Sequence, residues 1–227
     1  VFEPVRLAGT GVAAASLYNI AEIRRLDIAI GDTILVEKAG DIIPRIVRVV
    51  KKCGSTDIHY PINCPVCGHP TEENKVFVFC KNPACGVKSF GDIQVWRAAM
   101  GMELLKDCHL QRMYDEGLIK TPTDLYFLNE NDVARGARTS PLMAQKMVEQ
   151  ILSKTEVTFL EFLNGLGMNG LGGTYHAMLV ERFKTLEAIR AAQLEDFKGL
   201  PRFGETLCMK VICGLAQKKD LIDSLLK

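Results

Sequence analysis

Four cysteines carry the most specific chemistry in this chain: Cys64-Pro-Val-Cys67, then twelve residues, then Cys80-Lys-Asn-Pro-Ala-Cys85. Two tight pairs, enclosing two and four residues, each let a knuckle turn bite one metal ion, with Gly68 and Gly86 easing the turns. Four thiolates without a histidine favour tetrahedral zinc in a closed structural site, with no position left for water or substrate. The same cage could take iron, although the ligand chemistry favours zinc. Disulfides are the competing reading. The sequence disfavours them: it has no signal peptide and no apolar run of membrane length, and Cys53, Cys108, Cys208 and Cys213 are scattered. Those four are expected to be mostly small core residues, with Cys53 and His69 as bystanders to the metal. The segment around the site is too short to bury a core, so metal binding must supply much of its folding free energy, on the order of 10 kcal/mol.

A second pattern repeats. Gly172 and Gly204 stand 32 residues apart, and four residues on from each begins an apolar stripe: His176, Leu179, Val180, Phe183 and Cys208, Val211, Ile212, Leu215. Ala144, Met147, Val148, Ile151 and Leu110, Met113, Tyr114 continue the register upstream. Spacings of three, four and seven place each set on one helical face, and a fixed period marks an array of small helical units. In the third unit a shorter helix, Val157 to Leu163, runs into a glycine-rich turn spanning residues 165–173. A glycine at a helix N-terminus leaves unpaired N–H groups and the positive dipole end open to an anion. That is the physics of a helix-hairpin-helix motif, a clamp on the nucleic-acid backbone that reads no sequence. Short helical hairpins also serve as plain packing units.

The turns differ in what they offer. The site of the second hairpin glycine is Lys106, Ser140, Gly172 and Gly204 in the four units, and the site two residues earlier is Leu104, Arg138, Gly170 and Arg202. Units three and four are therefore expected to hold phosphate through Gly170, Gly172, Gly173, Thr174, Arg202 and Gly204, and units one and two to pack. Charge supports the division weakly: residues 91–157 carry 8 Lys+Arg against 10 Asp+Glu, and residues 158–227 carry 9 against 8.

The elements before the cysteines are strands. Asp32 to Lys38 alternates, with Ile34 and Val36 against Thr33, Leu35 and Glu37; Gly40-Asp41 turns; Ile42 to Val50 is extended and interrupted by Pro44. A short helix is expected over Ser16 to Arg25. This reads as part of a small β-barrel of the OB type, too short for five strands, as though the chain begins inside a domain. Arg24, Arg25 and Arg45, with Arg48, Lys51 and Lys52, supply cations for a phosphate backbone or for a solvated surface.

The fold class expected is multidomain α+β: a partial OB-type barrel over residues 1–60, a four-cysteine zinc finger over 61–90, and an all-α array over 91–227. The array divides into repeats near 98–127, 128–157, 158–190 and 191–227. Residues 51–63 and 86–96 are the expected joints. At 48% hydrophobic and 24% charged, the composition is that of a soluble intracellular protein. Aromatics make up 7%, which favours backbone contact over base stacking. His59, His69, His109 and His176 are scattered, with no hydrolase pattern around them.

This order of modules resembles the C-terminal part of the bacterial NAD+-dependent DNA ligases. Glu22-Ile23-Arg24-Arg25, Asp27-Ile28, Ile30-Gly31-Asp32-Thr33 and the stretch from Ala39 to Pro44 are similar to that family's OB domain. The two cysteine pairs are similar to its zinc knuckle. Gly117-Leu118-Ile119, Asp124-Leu125-Tyr126 and the run from Leu166 to Gly172 are similar to its helical array. The resemblance implies an enzyme that forms a lysine-linked AMP from NAD+, passes it to a 5′-phosphate and seals nicks in duplex DNA during replication and repair. Its catalytic lysine motif, Lys-x-Asp-Gly, does not occur here. NAD+ and Mg2+ would then act in domains outside this chain, which would hold structural zinc, grip DNA without sequence preference, and not ligate alone. A cytoplasmic monomer that touches no membrane is implied. A divergent scaffold with weakened DNA binding is the alternative. The chain departs from the family at Leu104 to Lys106 and Arg138 to Ser140, at His176 in place of a small residue, and at Ala14 and Tyr18.

Overall fold

A computed structural model describes residues 1–40, 43–54, 56, 58–82, 85–168 and 170–227. Part of the expected turn at Gly40-Asp41, the Pro83 of the second cysteine pair, Asn169 of the glycine-rich turn, and residues 55 and 57 of the expected first joint lie outside the described residues. The chain forms two compact units, Val1–Cys85 and Gly86–Lys227.

In the first unit β1 (Val5–Leu7) pairs antiparallel with β2 (Thr10–Val12). Ala8 and Gly9 both have positive φ, 46° and 78°, the geometry a two-residue hairpin needs to match strand twist. This hairpin was not foreseen, because Ala-Gly is a weaker turn signal than Asn-Gly. Helix α1 (Ile20–Leu26) begins four residues later than expected, where Asn19 caps it by accepting from the Glu22 amide. Strands β3 (Thr33–Ala39) and β4 (Ile43–Lys51) pair with Val36 opposite Ile46 and Glu37 opposite Arg45. Their alternation is as expected: Ile34 and Val36 are half-buried, while Thr33, Leu35 and Glu37 are exposed. Asp32 organises the approach to β3, its carboxylate accepting from the amides of Ala29, Cys53 and Gly54, each at 2.9 Å. Gly54 must be glycine, since a Cβ there would lie 2.5 Å from the Ile30 carbonyl oxygen. Strands β5 (Thr71–Glu73) and β6 (Val78–Cys80) close the cysteine region as a third hairpin. Among the described residues the strands form three separate two-stranded sheets.

Residues 61–85 do not stand apart from the strands before them. Arg24 of α1 pairs with Glu73 of β5, and the Ile20 amide donates to the Val76 carbonyl at 3.2 Å.

The second unit is helical. Helix α2 (Gly86–Ala99) occupies the expected second joint, which is thereby corrected: Ile93, Trp96 and Met100 lie buried on one face, and this i, i+3, i+7 anchor fixes the segment. Helices α3 (Asp107–Asp115), α4 (Glu130–Gly136), α5 (Pro141–Leu152), α6 (Phe159–Gly165), α7 (Gly173–Phe183), α8 (Leu186–Ala191), α9 (Glu205–Gln217) and α10 (Lys219–Leu225) follow, with 3-10 turns at Pro122–Phe127 and Leu194–Phe197. The helix ahead of the first turn is thus α2, which a unit starting at residue 98 cuts. Trp96 meets Phe162 edge-on at 5.7 Å, and a Cβ on Gly165 would lie 2.5 Å from the indole, so α6 can approach α2 only as glycine at that point. All four stripes face inward. Leu110, Met113, Ala144, Met147, Ile151, His176, Leu179, Cys208, Val211 and Leu215 are buried. Of the scattered cysteines only Cys208 is a core residue; Cys53, Cys108 and Cys213 are exposed, contrary to the expectation for that set.

Candidate metal centre and nucleic-acid interface

The four cysteine sulfurs converge, all within 4.8 Å of one another. Cys64 Sγ stands 3.8 Å from Cys85 Sγ, and Cys67 Sγ 3.5 Å from Cys80 Sγ. A tetrahedral cage with bonds of about 2.3 Å has edges of about 3.8 Å, so the donor set is spaced for one tetrahedral ion. The first knuckle follows from local bonds. The Gly68 amide returns to the Cys64 carbonyl at 2.9 Å, which requires positive φ at Gly68 (71°), and the Cys64 amide donates to the His69 carbonyl at 2.7 Å. Gly86 plays a different part from the one expected. It is the first residue of α2, and the second knuckle turns on the Cys85 amide donating to Asn82 at 3.2 Å.

The knuckle amides also prepare the sulfurs. Hydrogen bonds from the His69 amide and then the Asn82 side chain lower the Cys67 thiol to about 6, and the Cys67 and Val66 amides lower that of Cys64. Burial pushes Cys80 up to about 11. One thiol that ionises near neutral pH beside another that burial keeps protonated describes a ligand set whose filling by a cation releases protons. Cys64 and Cys85 are buried. The cluster can hold a metal ion.

Arg24, Arg25, Arg45 and Lys52 of the first unit are each engaged by a carboxylate. Arg24 pairs with Glu73, Arg25 with Glu22 at 2.7 Å, and Arg45 with Glu37, while Lys52 reaches Asp27 at 2.8 Å. Arg25 and Arg45 line an open cleft with Tyr18, Asn19 and Glu22. These pairs are largely exposed, so a phosphate oxygen can take the place of a carboxylate at small cost. Arg48 is exposed, with no carboxylate in ion-pair reach among the described residues.

The four helix starts behind the turns differ in which side chains reach them. At α3 the side chain of His109 accepts from the Lys106 amide, and at α5 the Ser140 hydroxyl accepts from the Met143 amide. At α7 and α9 the N-cap residues are Gly172 and Gly204, with no side-chain cap. Gly172, Gly173, Thr174 and Gly204 are all exposed. The first turn of α7 carries no acidic residue, whereas α9 has Glu205, which favours its own helix start and opposes an incoming anion. The glycines differ in what demands them. Gly172 (φ −102°) and Gly204 (φ −78°) have ordinary backbone, and a Cβ on either would meet nothing within 4 Å.

Two residues before these caps the backbone is left-handed in three units: Arg138 (φ 53°), Gly170 (φ 78°) and Arg202 (φ 63°). Holding arginine there costs about 1 kcal/mol or more at each position. Sequence reading placed these residues at one register but had no means of seeing their shared conformation.

His176, on the buried face of α7, donates from Nδ1 to Asn164 Oδ1 at 2.7 Å and so links α7 to α6. Its Nε2 is buried without a partner, and burial holds its pKa below the ordinary value.

The family model for the NAD-dependent DNA ligase OB-fold domain matches residues 1–57. The chain is 34% identical over 227 residues to the DNA ligase of Sorangium cellulosum, covering 100% of this chain and 33% of that protein. It is 36% identical over 222 residues to the DNA ligase of Thermotoga neapolitana, covering 92% and 32%. With the DNA ligase of Clostridioides difficile it shares 33% identity over 232 residues, covering 97% and 34%. The chain thus spans about a third of the length of the curated relatives it matches. With an OB-domain match at its start and a likeness to DNA ligases that runs on through the cysteine site and the helices, the chain belongs to the NAD-dependent DNA ligase family.

Proposed function

We propose that this chain is the DNA-clamping portion of a NAD-dependent DNA ligase, gripping the backbone of nicked duplex DNA while other domains of the whole enzyme perform nick sealing. The reading is supported above all by Gly172 and Gly204. Neither packing nor backbone conformation asks for glycine at these exposed, uncapped helix starts, whereas a phosphate held by the helix amides would. The helix pairs α6–α7 and the 3-10 turn with α9 then act as helix-hairpin-helix units, assisted by Arg202 and Thr174, while α2–α3 and α4–α5 serve mainly as packing units. Cys64, Cys67, Cys80 and Cys85 hold zinc, whose bound contribution is to fix the knuckles rather than to polarise a substrate. Adenylation of a lysine from NAD+, with Mg2+, belongs to the rest of the enzyme, and a cytoplasmic monomer suits the reading. No helix among the described residues is long and apolar enough to cross a membrane.

One observation favours a zinc-stapled scaffold instead: Arg24, Arg25 and Arg45 are already paired with carboxylates. A salt titration of binding to a fluorescent nicked duplex, with an intact duplex as control, separates the two. The clamp binds both with a log–log slope of roughly −0.9 per phosphate contacted. Absence of binding at low salt would leave the scaffold.

A further inference from the structure

The left-handed register holds an arginine in the second and fourth units and a glycine in the third, yet the third turn does not lack a cation. A Cβ placed on Gly170 would lie 2.8 Å from Lys210 Nζ and 3.5 Å from its Cδ. Lys210 sits forty residues downstream, on α9, the second helix of the fourth unit. Its position is set by packing. One helical turn further along α9, a Cβ on Gly214 would lie 3.2 Å from the Cγ and Sδ atoms of Met168, which is 3% exposed in the third turn. Residues four apart on a helix share a face, so the close seating of Gly214 on Met168 lays Lys210 over Gly170. The ammonium has no carboxylate within ion-pair distance among the described residues, in contrast to Lys218 on the same segment, which pairs with Asp92 at 2.5 Å.

We infer that Lys210 supplies in trans, to the third turn, the phosphate-binding cation that Arg202 supplies to the fourth turn from within. Glycine at residue 170 then has two uses: it accepts φ of 78° without a Cβ, and it leaves room for the lysine of the next unit. The fourth unit packs against the third not only to bury apolar surface but to complete its anion site. The ligand is the phosphodiester backbone of duplex DNA, so this inference rests on the clamp reading above.

The experiment repeats the nicked-duplex salt titration with Lys210→Ala, with Lys184→Ala, and with Lys210→Ala combined with Gly170→Arg. Lys184 is an exposed lysine at the far, C-terminal end of α7, so its loss removes the same charge away from the turn. Lys210 is exposed, and all three variants are expected to keep the wild-type helical circular dichroism. Lys210→Ala should lower affinity roughly three- to tenfold and reduce the salt slope by about one, the signature of a single lost phosphate contact. Lys184→Ala should leave the slope unchanged. Gly170→Arg on the Lys210→Ala background should restore the slope, because it rebuilds the arrangement found at Arg202. If Lys210→Ala loses no more than Lys184→Ala, or if the double variant stays as weak as the single, the inference is overturned while the clamp stands. If wild type binds no DNA at low salt, both fall.

Discussion

Within Val1–Cys85, Val12, Ile20, Leu26, Ile46, Cys64 and Cys85 are the buried hydrophobic residues among those described, whereas in Gly86–Lys227 one buried cluster runs from Ile93 to Ile222. The first unit relies on directional links: four sulfurs, the three amides on Asp32, and the pair joining Arg24 to Glu73. The second relies on side-chain packing along helical stripes. Gly172 and Gly204 lie outside that packing, since a Cβ on either would meet nothing within 4 Å, and are free to meet a ligand. In the first unit Arg24, Arg25 and Arg45 must give up a carboxylate before they can take a phosphate, whereas Arg48 has none in reach among the described residues.

The largest consequence of this contrast concerns metal. Strong chelation is expected to release on the order of 10 kcal/mol of metal-linked folding free energy from residues 61–85. Hydrogen exchange should then show β5 and β6 losing protection while α2 to α10 keep theirs. Equal loss in both units, or no loss in either, would break the comparison.

Acid separates the units next. His176 is buried neutral, with its folded pKa below the ordinary 6.5, so the stability this neutral imidazole contributes is complete above that value and falls as pH drops through it. The helical unit should therefore begin to lose melting temperature below about pH 6.5, and His176→Leu should flatten that dependence even though it strands Asn164. Asp32 behaves otherwise. Three backbone amides, Ala29 first, hold its carboxyl at about 2 against an ordinary 3.8, so its contribution is present above 3.8 and disappears as pH falls toward about 2. Asp32→Asn should weaken the first unit at neutral pH and remove its steepest acid dependence. A single acid transition shared by both units, unaffected by either substitution, would contradict this.

The smallest stability effect sharpens the comparison most. Aspartate caps a helix slightly better than glycine, by a few tenths of a kcal/mol, and neither Gly172 nor Gly204 would clash with a Cβ. Gly172→Asp with Gly204→Asp should leave the melting temperature unchanged or slightly raised.

What could be read from the sequence was local. The cysteine spacing located all four converging sulfurs, and the helical periodicity located the buried face of α3, α5, α7 and α9, because a knuckle and a helix are written within a few residues. The hairpin at Ala8-Gly9 escaped because its turn chemistry is weak. Helix α2 fills the expected joint at 86–96 because Ile93, Trp96 and Met100 carry a helical spacing, a weaker signal than the cysteine knuckle that ends one residue before it. The pairing of Arg24 with Glu73 and the approach of Lys210 to Gly170 lie 49 and 40 residues apart, and no local pattern encodes such meetings. Periodicity marks the stripe to which Val211 and Leu215 belong, but not which turn the exposed Lys210 beside it will cover.

The central claim is that the third and fourth turns grip the DNA backbone, and the measurement that tests it most directly is nicked-duplex affinity of the Gly172→Asp, Gly204→Asp double variant beside its thermal melt. The account predicts an unchanged or higher melting temperature with affinity reduced roughly a hundredfold, because two carboxylates would stand where phosphates are held. Wild-type affinity in a fully folded double variant would contradict it.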